Sequence, residues 1–196
     1  MRRTLIALAA AVTVVVAVIA LRPAPRPAPA PIAQLPEFAL VERDGSTVTR
    51  ADLAGAPWIA DFVFTRCAIY CPRLTVRMKE LRERLPPAIR TVSFSVDPEH
   101  DTPEVLERYA EQWGIEGRSW LFLTGEREPM WRLVREGFLL PVEDAPEVEA
   151  SPILHSNRFV LVDSAGRIRD TYDAFDDDAL ERILADLSAL AAEEGG

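Results

Sequence analysis

Hydrophobic residues recur with two different periods after residue 37, and the two periods predict alternating strands and helices. The run WIADFVFT at 58–65 is apolar and rich in β-branched and aromatic residues, as expected of a buried central strand in which Asp61 is out of place. The segment TVSFSV at 91–96 alternates like a second strand. Between them lies a helical repeat, ended by Pro86-Pro87, whose apolar positions are Leu74, Met78, Leu81 and Leu85.

The second half of the chain continues the alternation. Thr102-Pro103-Glu104 is a helix start with an N-cap, a proline at the first helical position and an acid in the first turn, and Gly114 closes that helix. Residues 138–157 are the least regular part. The remaining predictions are a strand at 119–124, a helix at 126–136, a hairpin of 157–163 with 167–173, and a last helix from about Asp176 with its apolar stripe up to Leu190.

A small hairpin around Gly45, between 38–41 and 47–48, precedes these elements. The predicted order is therefore β-β-β-α-β-α-β-α-loop-β-β-α. Strands that alternate with helices predict an α/β fold with a central mixed sheet flanked by helices, and the final hairpin adds antiparallel strands. With two cysteines between a strand and a helix, this order resembles the thioredoxin fold.

The first 21 residues predict a membrane segment. A basic start, Met1-Arg2-Arg3, precedes Thr4–Leu21, 18 residues in which only Thr4 and Thr13 are polar. As a helix this stretch is about 27 Å long, close to the thickness of a hydrocarbon core. A cleaved signal peptide ending near Val18-Ile19-Ala20 is the alternative, but its apolar region is usually shorter, so we favour an uncleaved anchor.

Residues 22–36 contain six prolines and predict an extended spacer of about 45 Å between the anchor and a domain at 37–192. The basic start predicts that the N-terminus stays in the cytoplasm, although Arg22 and Arg26 weaken the charge asymmetry. We therefore expect a membrane protein whose domain is held on a tether, on the side of the membrane away from the cytoplasm.

Charge makes nucleic acid an unsuitable partner. The chain carries a net charge of −9, and the part after residue 36 has 18 basic and 31 acidic residues, a net charge of −13. Such a surface repels phosphate backbones. Acidity of this kind suits cationic partners or metal cations, but it more commonly serves solubility.

The only two cysteines, Cys67 and Cys71, lie in FTRCAIYC, where the predicted strand ends and the helix begins. Side chains four residues apart on a helical turn are about 5–6 Å apart at Cβ, so both sulfurs can converge on one point. A disulfide across so short a loop would constrain the unfolded chain little. Three intervening residues, against the two usual in thiol-exchange enzymes, leave room for a soft metal ion such as copper or zinc. An exported pair can also oxidise to a disulfide.

The two histidines differ in their surroundings. His155, in SPILHSN, directly precedes a predicted strand, at about the place where a thioredoxin fold brings a loop against the cysteine loop. We interpret it as a third metal ligand, since imidazole with two sulfurs suits copper in both oxidation states. His100, in DPEHDTP, lies among acids and is expected to be an exposed loop residue.

Several segments together resemble the Sco/SenC family of membrane-anchored copper chaperones, from about residue 37 to 190. They are DFVFTRCAIYCPRLTVRM, VSFSVDPEHDTPEVLERYA, WLFLTG and LHSNRFVLVDSAGRIRDTYD. The resemblance implies a thioredoxin-like fold and one copper ion, Cu(I) or Cu(II), bound by Cys67, Cys71 and His155. It also implies delivery of copper from a donor protein to the CuA site in subunit II of cytochrome c oxidase, or to another copper-requiring client.

Two positions depart from the family pattern. Ala68 stands where many members have proline after the first cysteine, and Leu154 stands where an acid often precedes the histidine. Neither change removes a ligand, but the second can alter docking of a client. An alternative function is a thiol–disulfide oxidoreductase that keeps a client's copper-binding cysteines reduced, with Cys67 and Cys71 as the catalytic pair. The metal-carrier function is favoured over an enzyme.

Overall fold

The computed structural model describes residues 26–148 and 152–194. The predicted membrane segment, residues 1–21, and the first part of the spacer lie outside the described residues. Within the described ranges, no helix combines the length and the apolar character that a membrane crossing needs.

The domain is built from ten strands and four α-helices in the described residues. The strands are β1 Ala33–Gln34, β2 Ala39–Glu42, β3 Thr47–Thr49, β4 Trp58–Val63, β5 Arg90–Ser95, β6 Trp120–Thr124, β7 Val142–Asp144, β8 Ile153–His155, β9 Arg158–Val162 and β10 Arg167–Asp173. The α-helices are α1 Tyr70–Arg84, α2 Pro103–Gln112, α3 Arg127–Arg132 and α4 Ala179–Glu194. A single turn of 3-10 helix at Ala51–Leu53 follows β3, and a π-helical turn at Leu133–Gly137 follows α3.

Eight strands form one mixed sheet in the order β1-β10-β9-β4-β5-β6-β2-β3. The pairs β4–β5 and β5–β6 are parallel, whereas β9 pairs antiparallel with both β4 and β10. The strand–helix repeats thus supply the parallel centre, and the two hairpins supply the antiparallel flanks. This is the thioredoxin-like α/β architecture that the sequence predicts.

The centre of the sheet is covered on both faces. All six residues of β4 and all five of β6 are buried, which explains why these segments read as continuous apolar runs. Phe62 stacks on Phe94 with ring centroids 5.8 Å apart, and Phe138 meets both rings edge-on. These rings pack together near the end of β4, the strand that leads into the cysteine loop.

The predicted helix boundaries follow from local chemistry. Thr102 caps α2 by accepting the backbone N–H of Val105, and Pro103 occupies the first turn. Gly114 has φ of +63°, which lets the chain leave α2 in the left-handed conformation. Helix α4 begins at Ala179, three residues after the predicted start, because Asp176 forms part of a preceding turn.

The predicted spacer does not stand away from the domain along its whole length. Ala33–Gln34 forms β1 and pairs with β10, and the N–H of Ile32 donates to the carbonyl of Ile168. Leu35 has no exposed surface. Prolines exclude this segment from a sheet interior but allow a two-residue edge strand, so the end of the spacer packs on the sheet.

Residues 138–157, predicted to be irregular, contain a separate two-stranded sheet of β7 and β8. Val142 pairs with His155, and Asp144 pairs with Ile153. Each strand has only three residues, too few for a period to be recognised in the sequence. This short hairpin is what carries His155 to the cysteine loop.

Candidate metal centre

Strand β4 and helix α1 place the two cysteines. Cys67 lies in the turn after β4, where its N–H donates to the carbonyl of Phe64 at 3.2 Å. Cys71 is the second residue of α1, in the turn whose N–H groups have no partner within the helix. Both side chains are buried, with 4% and 1% of their surface exposed, and both thiols are free.

Each sulfur accepts a backbone N–H group, one from the start of α1 and one from the residue that follows β4. Cys71 N–H donates to Cys67 Sγ at 3.4 Å, and Phe64 N–H donates to Cys71 Sγ at the same distance. The first contact brings the helix N-terminus, with its partial positive charge, against the Cys67 sulfur. The loop therefore holds the two sulfurs on one side of the α1 start.

The two thiols differ sharply in acidity. A hydrogen bond from the Cys71 side chain, together with the N–H groups of Cys71, Ile69 and Tyr70, lowers the pKa of Cys67 to about 4. The same side-chain hydrogen bond and burial raise the pKa of Cys71 far above its ordinary value. At neutral pH, Cys67 is the thiolate and Cys71 retains its proton.

His155 completes the group from β8. Its Nε2 lies 3.6 Å from Cys71 Sγ, and its ring meets Phe64 edge-on with centroids 5.5 Å apart. Nδ1 donates to the carbonyl of Ser156 at 3.0 Å, so Nε2 carries the lone pair that faces the sulfur. Burial lowers the pKa of His155, which keeps the imidazole neutral.

An apolar rim surrounds the centre. Ile69, Tyr70 and Leu154 are large apolar side chains with at least half of their surface exposed, and they flank Cys71 and His155 in sequence. A cleft of about 250 Å³ opens beside His155. It is lined by Tyr70, Leu74, Ile153, Leu154, His155, Asn157 and Phe175.

A second polar cluster lies behind the cysteine turn. Asp97, His100 and Asp101 are the one group of three in the described residues whose ligand atoms all lie within 4.8 Å of one another. Arg66 donates hydrogen bonds from Nε and Nη2 to the carboxylate of Asp97, and the hydroxyls of Thr65 and Ser95 donate to the carboxylate of Asp101. Carboxylate oxygens favour hard cations, so this cluster does not compete with the sulfurs for a soft metal.

The sulfur–imidazole group is looser than the carboxylate cluster. The ligand atoms of Cys67, Cys71 and His155 do not all lie within 4.8 Å of one another. Cys71 nevertheless contacts both of the other residues, Cys67 through its N–H and His155 through its sulfur. Two sulfurs and one neutral imidazole form a donor set for Cu(I), Cu(II) or zinc. A structural zinc site would ordinarily have a fourth protein ligand, so the set suits copper better.

The structure places His155 against Cys71, as the sequence prediction requires, while the ligand role of Cys67, Cys71 and His155 stays a prediction. The expected exposure of His100 is confirmed. His100 has a half-exposed side chain and contacts Asp101 and Thr65, away from the sulfurs. What the sequence did not reveal is how the DPEHDTP motif connects to the cysteines. Those contacts, from Asp97 and Asp101 to Arg66 and Thr65, link segments more than 30 positions apart.

Comparison with known proteins gives concordant results. A family model described as SCO1/SenC matches residues 27–192. The SCO1 protein homolog of Bacillus subtilis is 31% identical over 162 residues, which are 81% of this chain and 83% of that protein.

Solved structures agree with these matches. BsSco, described as a member of the Sco family of cytochrome c oxidase assembly proteins with a disulfide switch, superposes with a TM-score of 0.75 at 27% identity, covering 85% of this chain and 98% of that chain. ScoI of Bradyrhizobium japonicum with copper bound superposes with a TM-score of 0.67 over 81% of this chain and 99% of that chain. At 24% identity, the second likeness shows the fold alone.

Proposed function

The chain belongs to the SCO1/SenC family, and from this membership we propose that it binds one copper ion through Cys67, Cys71 and His155 and delivers it during cytochrome c oxidase assembly. Two relatives support the two halves of this proposal. BsSco is described as an oxidase assembly protein, and ScoI has been solved with copper bound.

One observation carries the ligand assignment: Nε2 of His155 lies 3.6 Å from Cys71 Sγ, on the side of the cysteine loop where the two sulfurs meet. The lone pair of Nε2 is available at neutral pH, because Nδ1 donates to Ser156 and burial lowers the pKa of the ring. Cys67 supplies a thiolate without losing a further proton. Copper binding then has to displace only the proton of Cys71.

The rim around the centre is consistent with transfer of copper to another protein. Both sulfurs are nearly inaccessible, while three uncharged residues around them, Ile69, Tyr70 and Leu154, are exposed. A client that takes the ion by exchanging ligands has to cover this rim, and the cover excludes water during the exchange. The CuA site of subunit II is the client that we propose, with a copper donor protein supplying the ion.

Copper titration of the purified protein with reduced thiols tests the ligand set. We expect His155→Ala to weaken Cu(II) binding by at least tenfold and to change the Cu(II) spectrum. His100→Ala is the matched control, since it removes the other histidine, and Asp101 keeps its hydroxyl and N–H donors without it. Equal affinity and identical spectra for the parent and His155→Ala would show that the imidazole is not a ligand.

The location of the protein is a separate proposal, supported by the sequence alone. Residues 1–21 anchor the chain in the bacterial inner membrane, and the domain works on the periplasmic side, where the client acquires copper. Mass analysis of the mature N-terminus distinguishes an uncleaved anchor from a cleaved signal peptide. Retention of residues 1–21 is the expected result.

A second candidate function is reduction of the client's copper-binding cysteines. The observation in its favour is the difference in acidity between the two thiols: an acidic Cys67 attacks a disulfide, and the protonated Cys71 then resolves the mixed disulfide. Each turnover oxidises the Cys67–Cys71 pair to a disulfide and reduces one client disulfide to two thiols. Rapid reduction of a client disulfide by a protein without measurable copper affinity would favour this function over metal transfer.

A further inference from the structure

We propose that Asp101 is a positioning residue for the copper centre. Its carboxylate binds the backbone N–H and the hydroxyl of Thr65, and it thereby holds the turn that carries Cys67. The metal-binding part of this inference rests on the proposed function. The effect on the two thiols does not, because it concerns the conformation of the turn itself.

Asp101 is a fully buried carboxylate that contacts Thr65, Ser95 and the adjacent His100. Thr65 donates its N–H to Oδ2 at 3.1 Å and its hydroxyl to Oδ1 at 2.6 Å. Ser95, at the end of β5, donates its hydroxyl to Oδ2 at 2.6 Å, and Nδ1 of His100 lies 3.0 Å from Oδ1. The carboxylate thereby ties the end of β5 to the residue that lies two positions before Cys67.

The segment between Thr65 and Cys67 has a second point of attachment. Arg66 donates from Nε to Asp97 Oδ2 at 2.8 Å and from Nη2 at 2.5 Å. Two consecutive residues before Cys67 are thus bound by two carboxylates of one loop. Cys67 N–H, in turn, donates to Phe64, so the turn has few remaining ways to move.

The loop from Asp97 to Asp101 is itself fixed. The carbonyl of Asp97 accepts the N–H groups of His100 and Asp101 at 3.0 and 2.8 Å, and the next residue, Thr102, is the N-cap of α2. Nε1 of Trp131 donates to the carbonyl of Val96 at 2.7 Å. Asp101 therefore sits on a scaffold of β5, α2 and α3, which is rigid enough to impose its position on Thr65.

The arrangement predicts how copper and the disulfide state respond to Asp101. The network holds the reduced turn, in which Cys71 N–H donates to the Cys67 sulfur. Without this network, the turn has to become ordered when copper binds, so copper affinity falls. Residues that orient metal ligands typically raise metal affinity about 10–100-fold. The disulfide form is held by its own covalent bond, so loss of the network favours it over the dithiol.

Asp101→Asn and Thr65→Val test the inference, the latter replacing the hydroxyl by a methyl group while keeping the N–H. Two quantities are measured on the full chain: copper affinity with the Cu(II) spectrum, and the equilibrium of the Cys67–Cys71 pair with glutathione. We expect Asp101→Asn to weaken copper binding at least tenfold and to shift the thiol equilibrium toward the disulfide by about tenfold, or about 30 mV for this two-electron couple. Thr65→Val should shift both in the same direction by less, and the double variant should change by less than the two single effects combined.

Matched controls separate positioning from general loss of stability. Thr49 makes the same two contacts with Asp52, N–H to Oδ2 at 2.8 Å and hydroxyl to Oδ2 at 2.5 Å, beside the edge strand β3. Asp52→Asn and Thr49→Val should leave both quantities unchanged. Ile183→Val, in the buried face of α4, lowers stability without touching the site and should not move the thiol equilibrium.

The outcomes are distinguishable. If Asp101→Asn does not fold, Thr65→Val and Ser95→Ala decide the question, since each removes one donor only. Values within twofold of the parent for both quantities would overturn the inference. If the parent binds no copper, the proposed function fails, and the glutathione equilibrium alone still decides whether Asp101 positions the turn.

Discussion

His155 Nε2 and Cys71 Sγ are 3.6 Å apart, although the two residues are separated by 84 positions in the sequence. The contact joins the start of α1 to the short β7–β8 hairpin, which lies outside the main sheet. Val142 and Ile153, one from each strand of this hairpin, are buried in the hydrophobic core, so core packing holds the hairpin beside the cysteine loop. This packing keeps Nε2 of His155 against the sulfur of Cys71.

The acidity of Cys67 gives the first prediction. The hydrogen bond from the Cys71 side chain, with N–H groups at the start of α1, lowers the pKa of Cys67 to about 4, so the thiolate should persist at weakly acidic pH. Ultraviolet absorbance of the thiolate in the metal-free protein should fall with a midpoint near pH 4. Cys67→Ser should abolish that transition. A midpoint near the ordinary value for cysteine, about 8.5, would contradict the assignment.

The same shift contributes to stability, and its sign follows from linkage. The pKa of Cys67 is lower in the folded state than in the unfolded chain, so the unfolded state binds more protons between the two values. The contribution is fully present above the unfolded pKa and is lost as pH falls toward about 4. In Cys67→Ser, the free energy of unfolding should therefore depend less on pH over this window.

The second prediction concerns which cysteine attacks a disulfide. Cys67 is the thiolate and Cys71 is protonated, so Cys71→Ser should accumulate a mixed disulfide with a reactive small disulfide or a client. Cys67→Ser should accumulate little, because the Cys71 thiol, whose pKa is raised, stays protonated and is a poor nucleophile. Mass spectrometry of acid-quenched samples measures both. Equal trapping by the two variants would show that the thiols do not differ in role.

The sequence could predict what depends on local pattern. The caps of α2, the burial of β4 and the placement of Cys67 and Cys71 all follow from neighbouring residues, and each is found in the structure. The order of strands and helices, with two cysteines between a strand and a helix, indicated the thioredoxin-like fold, and the family resemblance implied the same fold. Motif and position in the fold together selected His155 over His100.

What the sequence could not predict depends on distant contacts. β1 exists because β10 offers an edge to two residues between prolines, and no local signal marks that pairing. The β7–β8 hairpin is too short to show a period. The role of Asp101 is visible only when Thr65, 36 positions earlier, is seen to donate to it. Such contacts arise from tertiary packing, which propensity does not encode.

The third prediction tests the docked part of the spacer. Leu35 is fully buried next to β1, whereas Ile32, three residues earlier, has 56% of its surface exposed. Leu35→Ala should lower the free energy of unfolding by about 3 kcal/mol, as is typical of a buried leucine. Ile32→Ala should change it by less than about 0.5 kcal/mol. Urea denaturation measures both, and equal small effects would indicate that the segment is not part of the folded domain.

The last prediction concerns Asp61, the acid buried in the middle of β4. Desolvation raises its pKa to about 7, opposed by the hydroxyl of Ser93, which donates to Oδ1 at 2.6 Å. Its Oδ2 is buried and has no hydrogen-bond partner among the residues that the structure describes. The folded state therefore binds more protons than the unfolded chain between about pH 4 and pH 7, and stability falls as pH rises through that window.

The size of this effect can be measured with Asp61→Asn, which has a similar shape and no charge to desolvate. The full pKa shift corresponds to a loss of folding stability on the order of 4 kcal/mol above pH 7. This figure is an upper bound, because the surroundings of the ionised carboxylate can relax. Cys67 makes stability rise with pH in both proteins. The difference in the free energy of unfolding between parent and variant at each pH therefore reports on Asp61 alone. That difference should favour the variant by more at about pH 8 than at about pH 5. Ser93→Ala, which removes the hydrogen bond to the ionised form, should steepen the pH dependence, and a difference that stays constant with pH would mean that Asp61 does not titrate in this range.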